Sequence, residues 1–363
     1  MAADQLTAFS PNCVVVPGQH LTSALASKGM SQAELAVRIG RPQKTINEII
    51  KGKAAITPDT AIQLERALGI SAKIWNRLEA NYQLQLAEQR DRARLEAYAD
   101  WAERLPLAEL RKRGHITQSD SKVDLVRRCL KFFGIDSPES LPASSTVASF
   151  RQSPAFEPND LAMCAWLRLG ELEAESIECR PYDRAQFRLI LDGLRALTRE
   201  SDLQRVKRTL QNDCRQYGVA VCFTSELRHT HVSGAARWIG PDKAMIQLSC
   251  RYKSDDHFWF TFFHECGHIL LHGKKEGFLE GPGTSSREEE EANDFATNHL
   301  IPRQALLNLM RERPLSAERL VGFAKEVGVA PGIVVGQLQK RRRLVQITPL
   351  NKLKRFSFDL AAI

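Results

Sequence analysis

Residues 264–268 read His-Glu-Cys-Gly-His, two imidazoles separated by three residues, with a carboxylate beside the first. An α-helix turns about 100° and climbs roughly 1.5 Å per residue, so His264 and His268 share one face about 6 Å apart along the axis. Two nitrogens so placed can grip one Zn2+, and Glu265 is then within reach of water held there. The flanks make this helix an interior one. Phe258, Trp259, Phe260, Phe262 and Phe263 precede the first histidine, and Ile269, Leu270 and Leu271 follow the second. A helix apolar on most sides is buried, and polar groups buried with it need partners.

A hydrolytic zinc site takes three protein ligands and keeps one position open. His272 lies on the same face, but about 12 Å along the axis from His264, too far to share an ion. No third histidine follows a glycine-containing spacer, so the third ligand has to come from another helix. Residues 287–302, REEEEANDFATNHLIP, bring an acidic run into an apolar face of Ala292, Phe295, Ala296 and Leu300. Glu291, one turn before Phe295, is the expected ligand. Glu288 is the alternative one turn earlier, while Glu289 and Glu290 read as solvated charge. With such a set, zinc polarises a scissile carbonyl and acidifies water, and Glu265 carries the proton to the leaving amine. Tyr252, His231, His257 and Arg237 are all open as the donor to the oxyanion.

The run HECGHILLH followed by EEEANDFATNHLIP resembles the ImmA/IrrE family of zinc metallopeptidases. The resemblance implies a zincin-like, gluzincin-type domain with His264, His268 and Glu291 as ligands, Glu265 as general base and Zn2+ as cofactor. It also implies a protein substrate, either a repressor or this chain itself. The segments GVAVCF, VSGAARWIG and KAMIQLS fit as strands leading into the active helix. Cys266 stands where the family more usually has an apolar residue. A free cysteine packs as a small hydrophobe, with a redox-sensing thiol as the alternative.

Residues 17–70 carry a second signal. Ser31 and Glu34 form a capping box that opens a helix with Ala33, Leu35, Ala36 and Ile39 as its apolar positions, and Gly40 ends it. Arg41-Pro42 begins another, with Ile46, Ile49 and Ile50 facing inward. Two short helices joined by a tight turn containing glycine form a helix-turn-helix. The second exposes Gln43, Lys44 and Asn47 to base edges, with Gln32, Thr45 and Lys51 as phosphate or charge contacts and Arg41 at the turn. The stretch GRPQKTINEIIKGKAAITPDTAIQLERALG resembles Xre-type repressors of the HigA antitoxin branch, which implies double-stranded operator DNA, a homodimer and, if a toxin is co-encoded, a toxin partner. A DNA-binding sensor or antitoxin without proteolysis is the competing reading of the whole.

The chain has 363 residues and a formal net charge of +8, enough for two or three domains and favourable to polyanions. The fold expected is mainly α with a small β-sheet. The organisation expected is a DNA-binding domain at 11–80, a helical connector at 81–136, a Ser/Pro/Ala-rich linker at 137–160 and the peptidase domain with a helical extension at 161–363. A long amphipathic helix is expected between roughly 71 and 113, with 105–116 reading as a short helix ended by Gly114, and the helices at 316–343 are expected to pack on the peptidase. Eight cysteines stand singly without a C-x-x-C pair. With no secretory leader or apolar run of about 18 residues, a reduced cytoplasm and no membrane are the expectation.

Overall fold

The computed structural model describes residues 15–119, 121–141, 158–228, 230, 232–272, 278–279 and 287–355. The chain forms two compact units, Met1–Ala99 and Asp100–Ile363. The expected connector is therefore divided, its first part belonging to the first unit. Most of the expected linker, residues 142–157, lies outside the described residues.

The first unit is a helical cluster: α1 (Pro17–Ser27), α2 (Gln32–Ile39), α3 (Gln43–Ile50), α4 (Pro58–Leu68) and α5 (Ala72–Ala97). Local chemistry sets its ends. Ser31 Oγ accepts from the Glu34 N–H at 3.1 Å, and Gly40 closes α2 at φ +64, a left-handed conformation that costs glycine nothing. Leu21, Leu35, Ile46, Ile49, Leu64 and Trp75 form the core. Ala33 faces solvent instead of the core, and Ile50 is only half-buried. At Gly18 α1 crosses α3 so closely that a Cβ would sit 2.3 Å from the Ile50 carbonyl oxygen. The long helix from Ser71 stops at Ala97 and is followed by α6 (Ala99–Glu103), while the short helix expected at 105–116 is α7 (Leu107–Lys112), with Gly114 just beyond it at φ +77. Pro106 lacks the N–H that a continuous helix needs.

The second unit continues through α8 (Lys122–Phe133), α9 (Pro158–Ser176), α10 (Arg184–Ala196) and α11 (Leu203–Arg215) to a sheet of β1 (Val219–Phe223), β2 (Gly234–Gly240), β3 (Lys243–Leu248) and β4 (Phe278–Leu279). The described strands lie in the order β1-β3-β2-β4, with β1 parallel to β3 and the β2 pairings antiparallel. Side chains alternate across the sheet. Val219, Val221 and Phe223 enter the main core, whereas Ala220, Cys222 and Met245 pack on the other face against Ala174 of α9. Gln247 Nε2 donates to the Trp166 carbonyl at 2.7 Å, and Trp166 Nε1 donates to the Thr224 carbonyl at 2.8 Å, tying α9 to the sheet.

The main-core face carries α12 (Asp255–Leu271), the helix of the HECGH motif, with α13 (Arg287–Leu300) packed against it. After α14 (Arg303–Arg311) come α15 (Ala317–Val327) and α16 (Pro331–Lys340). Ile333, Val334, Val335 and Leu338 of α16 are buried in the core with Phe258 and Trp259, so these helices pack on the peptidase-like unit as expected. Among the described residues no single helix is long and apolar enough to cross a membrane.

Candidate metal centre

Three side chains converge at the middle of α12. His264 Nε2 and His268 Nε2 lie 2.9 Å apart, and the Glu289 oxygens lie 3.3 Å from each. All three residues are buried, and their donor atoms sit within 4.8 Å of one another. Two imidazole nitrogens and one carboxylate, withdrawn from water and turned toward a common point, form the donor set that suits Zn2+. Desolvation works to raise the Glu289 carboxyl, but the two imidazoles facing it, His264 and His268, override that and hold it at about 2. Burial lowers the His268 imidazole below its ordinary range; Glu289 opposes this shift and His264 adds to it.

The third member differs from the one expected. Glu291 does not join the cluster: its side chain is 41% exposed, and it pairs with Arg287 at 2.7 Å and His272 at 3.4 Å. The reason lies in which face α13 buries. That face runs through Glu289, Ala292, Ala296 and Leu300. At about 100° per residue Glu289 falls within roughly 20° of Ala296 and Leu300, whereas Glu291 points about 180° from Leu300. Large, apolar Phe295 suggested the wrong centre for the stripe, since it is only partly buried. The useful signal was the close seat of Gly267 against Ala292, with Phe295 at the same 3.2 Å beside it. A Cβ there would lie 3.2 Å from Ala292 Cα, so α12 and α13 approach closely at a glycine–alanine contact. Glu288 is half-buried and outside the cluster.

Glu265 is fully buried beside the cluster. Gly234, at the start of β2, presses on it: a Cβ at 234 would stand 2.6 Å from Glu265 Oε1 and 2.6 Å from Thr261 Cγ2. Cys266 is also fully buried, and burial pushes its thiol far above the usual range, so it packs as a hydrophobe rather than serving as a thiolate sensor. A cavity of about 350 Å3 runs along the same helix toward its N-terminus, bounded by Ser233, His257, Phe260, Thr261, Gln337 and Lys340. Of the oxyanion candidates, Arg237 is committed to an ion pair with Glu171. Tyr252 stacks on His257 with ring centroids 4.3 Å apart, and both line the cavity. His231 lies outside the described residues.

The N-terminus of α12 is fixed by a feature that sequence reasoning missed. Asp255 accepts from the Arg355 backbone N–H and from its Nε, both at 3.1 Å, and Asp256 accepts from Lys354 Nζ at 2.7 Å. The Arg355 guanidinium also reaches the Thr198 and Glu200 carbonyls. A hundred residues separate the partners, so no local pattern marks them.

Residues 21–75 match the family model described as helix-turn-helix, and residues 214–338 match the IrrE N-terminal-like domain. The chain belongs to the helix-turn-helix family and carries a fused IrrE-like domain. The chain is 36% identical over 74 residues to virulence-associated protein I of Dichelobacter nodosus and 37% identical over 57 residues to virulence-associated protein A of the same organism. Those matches cover 20% and 15% of this chain, and 68% and 56% of the relatives. Among solved structures it is similar to an addiction module antidote protein of the HigA family from Coxiella burnetii, at 27% identity over 23% of this chain and 92% of the other, with a TM-score of 0.22. A putative antidote protein of a plasmid maintenance system from Nostoc punctiforme is 31% identical over 23% of this chain and 91% of its own, also at a TM-score of 0.22.

In the helix-turn-helix domain, Gln43 and Lys44 are exposed in the first turn of α3, with Thr45 and Asn47 partly exposed beside them. Lys51 is exposed just past α3, and Gln32, at the start of α2, is partly exposed. Arg41 is half-buried and donates from Nε to Gln63 Oε1 at 2.7 Å, which fixes its side chain at the turn.

Proposed function

We propose that the protein is a DNA-binding transcription regulator whose IrrE-like domain is a zinc-dependent endopeptidase. In this reading it hydrolyses a protein substrate, a repressor or its own chain, and thereby changes repression. The observation that carries the reading is the burial of His264, His268 and Glu289 around one point, with Glu265 beside them. His264, His268 and Glu289 would hold Zn2+, which supplies, when bound, a Lewis acid for the scissile carbonyl and for water. Glu265 takes the proton of the attacking water on its carboxylate and delivers it to the leaving amine. Gly234 leaves the room that carboxylate occupies. The cavity beside the motif receives the substrate, with Tyr252 and His257 at its wall. Gln43, Lys44 and Asn47 read the operator, while Gln32, Arg41, Thr45 and Lys51 hold its backbone, in a dimer.

Glu265→Gln tests the catalytic half. The variant keeps the metal and the operator and loses cleavage of a co-encoded repressor or of the chain itself. A wild type that binds both and cleaves nothing under any stress condition would leave a metal-dependent sensor or antitoxin in place of a peptidase.

A further inference from the structure

Glu291 and His272 lie outside the three-residue cluster yet are joined to it. His268 Nδ1 sits 3.0 Å from His272 Nδ1, His272 Nε2 sits 3.4 Å from Glu291 Oε2, and Glu291 Oε1 receives Arg287 Nε at 2.7 Å. We propose that His272 and Glu291 are a positioning pair that fixes the tautomer and ring orientation of His268 toward the metal. The inference rests on the reading of the cluster as a metal site and adds two residues to it.

For neutral rings, one assignment satisfies the run from Glu291 through His272 to His268. An ionised carboxylate only accepts, so His272 carries its proton on Nε2 and donates to Glu291. Its Nδ1 is then an acceptor, and the proton between the two rings belongs to His268 Nδ1. That leaves the lone pair of His268 on Nε2, the atom facing His264 and Glu289. His264 has no equivalent device among the described residues: its buried Nδ1 makes no hydrogen bond there. The backbone explains how His272 reaches back. It is the C-cap of α12, with φ −104 and ψ 159, so the chain leaves the helix at this residue, while its N–H still donates to the His268 carbonyl at 3.1 Å. The side chain of His272 is 7% exposed, held between His268 and Glu291. Carboxylate partners behind a ligating imidazole set its tautomer and raise its basicity, and losing them typically lowers metal affinity about 10–100-fold.

The test measures Zn2+ affinity by chelator competition on the full chain, together with the visible absorption of the Co2+-loaded protein. His272→Leu is expected to bind Zn2+ about 10–100-fold more weakly and to shift the Co2+ bands. His272→Gln, which can still accept from His268 and donate to Glu291, is expected to recover most of the affinity. Glu291→Ala, at a side chain 41% exposed, is expected to lose affinity several-fold with little change in the melting temperature of the metal-free protein. Wild-type affinity and an unchanged Co2+ spectrum in both His272→Leu and Glu291→Ala would overturn the proposal, and so would a His272→Gln variant as weak as His272→Leu. If His272→Leu does not fold, Glu291→Ala decides alone. Wild-type protein that binds Zn2+ but cleaves nothing would remove the peptidase reading and leave this pair standing; wild-type protein that binds no Zn2+ would remove both.

Discussion

Adding a single methyl group at Gly234 probes the general-base position directly. The Cβ of Gly234→Ala would lie 2.6 Å from Glu265 Oε1 and 2.6 Å from Thr261 Cγ2. Ordinary carbon contacts are about 3.5–4 Å, so the overlap is about 1 Å. Gly234 is not in the left-handed region, so the effect is steric and owes nothing to backbone strain. Thr261 is fixed on α12, and Glu265 is fully buried, so the carboxylate has to shift. Overpacking of this kind costs about 1–3 kcal/mol. At about 2–4 °C per kcal/mol for a domain of this class, the melting temperature should fall by roughly 2–12 °C. A catalytic group misplaced by 1 Å costs about 100-fold in rate. The ligands sit on other residues, so Zn2+ affinity should hold within a few-fold. Thermal melts, metal content and a cleavage assay on one preparation separate these effects. A Gly234→Ala protein that melts and cleaves like wild type would refute the contact between β2 and Glu265.

Further expectations concern the frame around the site and the DNA-binding face. Lys354→Ala strands Asp256, whose side chain is 7% exposed, and should destabilise the second unit by about 3–5 kcal/mol in urea titrations; no loss would mean the ion pair is not formed. Burial holds His299 below its ordinary pKa, so the unfolded state binds its proton more tightly than the folded one. Stability is therefore full above the unfolded value of about 6.5 and falls as pH drops from there toward the folded value. His299→Gln should flatten that slope below about pH 6.5, and an unchanged slope would rule His299 out as its source. On a selected operator, Gln43→Ala should lose about 1–3 kcal/mol of discrimination at one base pair, while Lys51→Ala should weaken all sequences alike and reduce the salt slope by about 1. Loss of discrimination in Lys51→Ala instead would reverse the two roles.

Much of this molecule was legible wherever the signal is local. The Ser31 cap, the Gly40 stop and the spacing of Ile46 and Ile49 mark the helix-turn-helix, and the HECGH spacing marks the paired histidines. The mainly helical fold with a small sheet followed from the same periodicities. What failed depended on tertiary choice. Four consecutive glutamates offer four angles around α13, and only the close approach of Gly267 to Ala292 selects Glu289. Weighting a partly buried Phe295 over small, fully buried alanines turned the helix by more than a quarter turn. Distance along the helix sets His272 apart from His264, but a hydrogen bond behind His268 has no sequence spacing of its own. The Asp255–Arg355 and Asp256–Lys354 pairs span the domain, and a charged residue in a sequence reads as surface until its partner is known.

The central claim, that His264, His268 and Glu289 hold one divalent ion, is tested most directly by elemental analysis of the purified chain and two single variants. One zinc per chain is expected in the wild type, little or none in Glu289→Ala, and retained though weaker binding in Glu291→Ala. Full zinc in Glu289→Ala with loss in Glu291→Ala would contradict it.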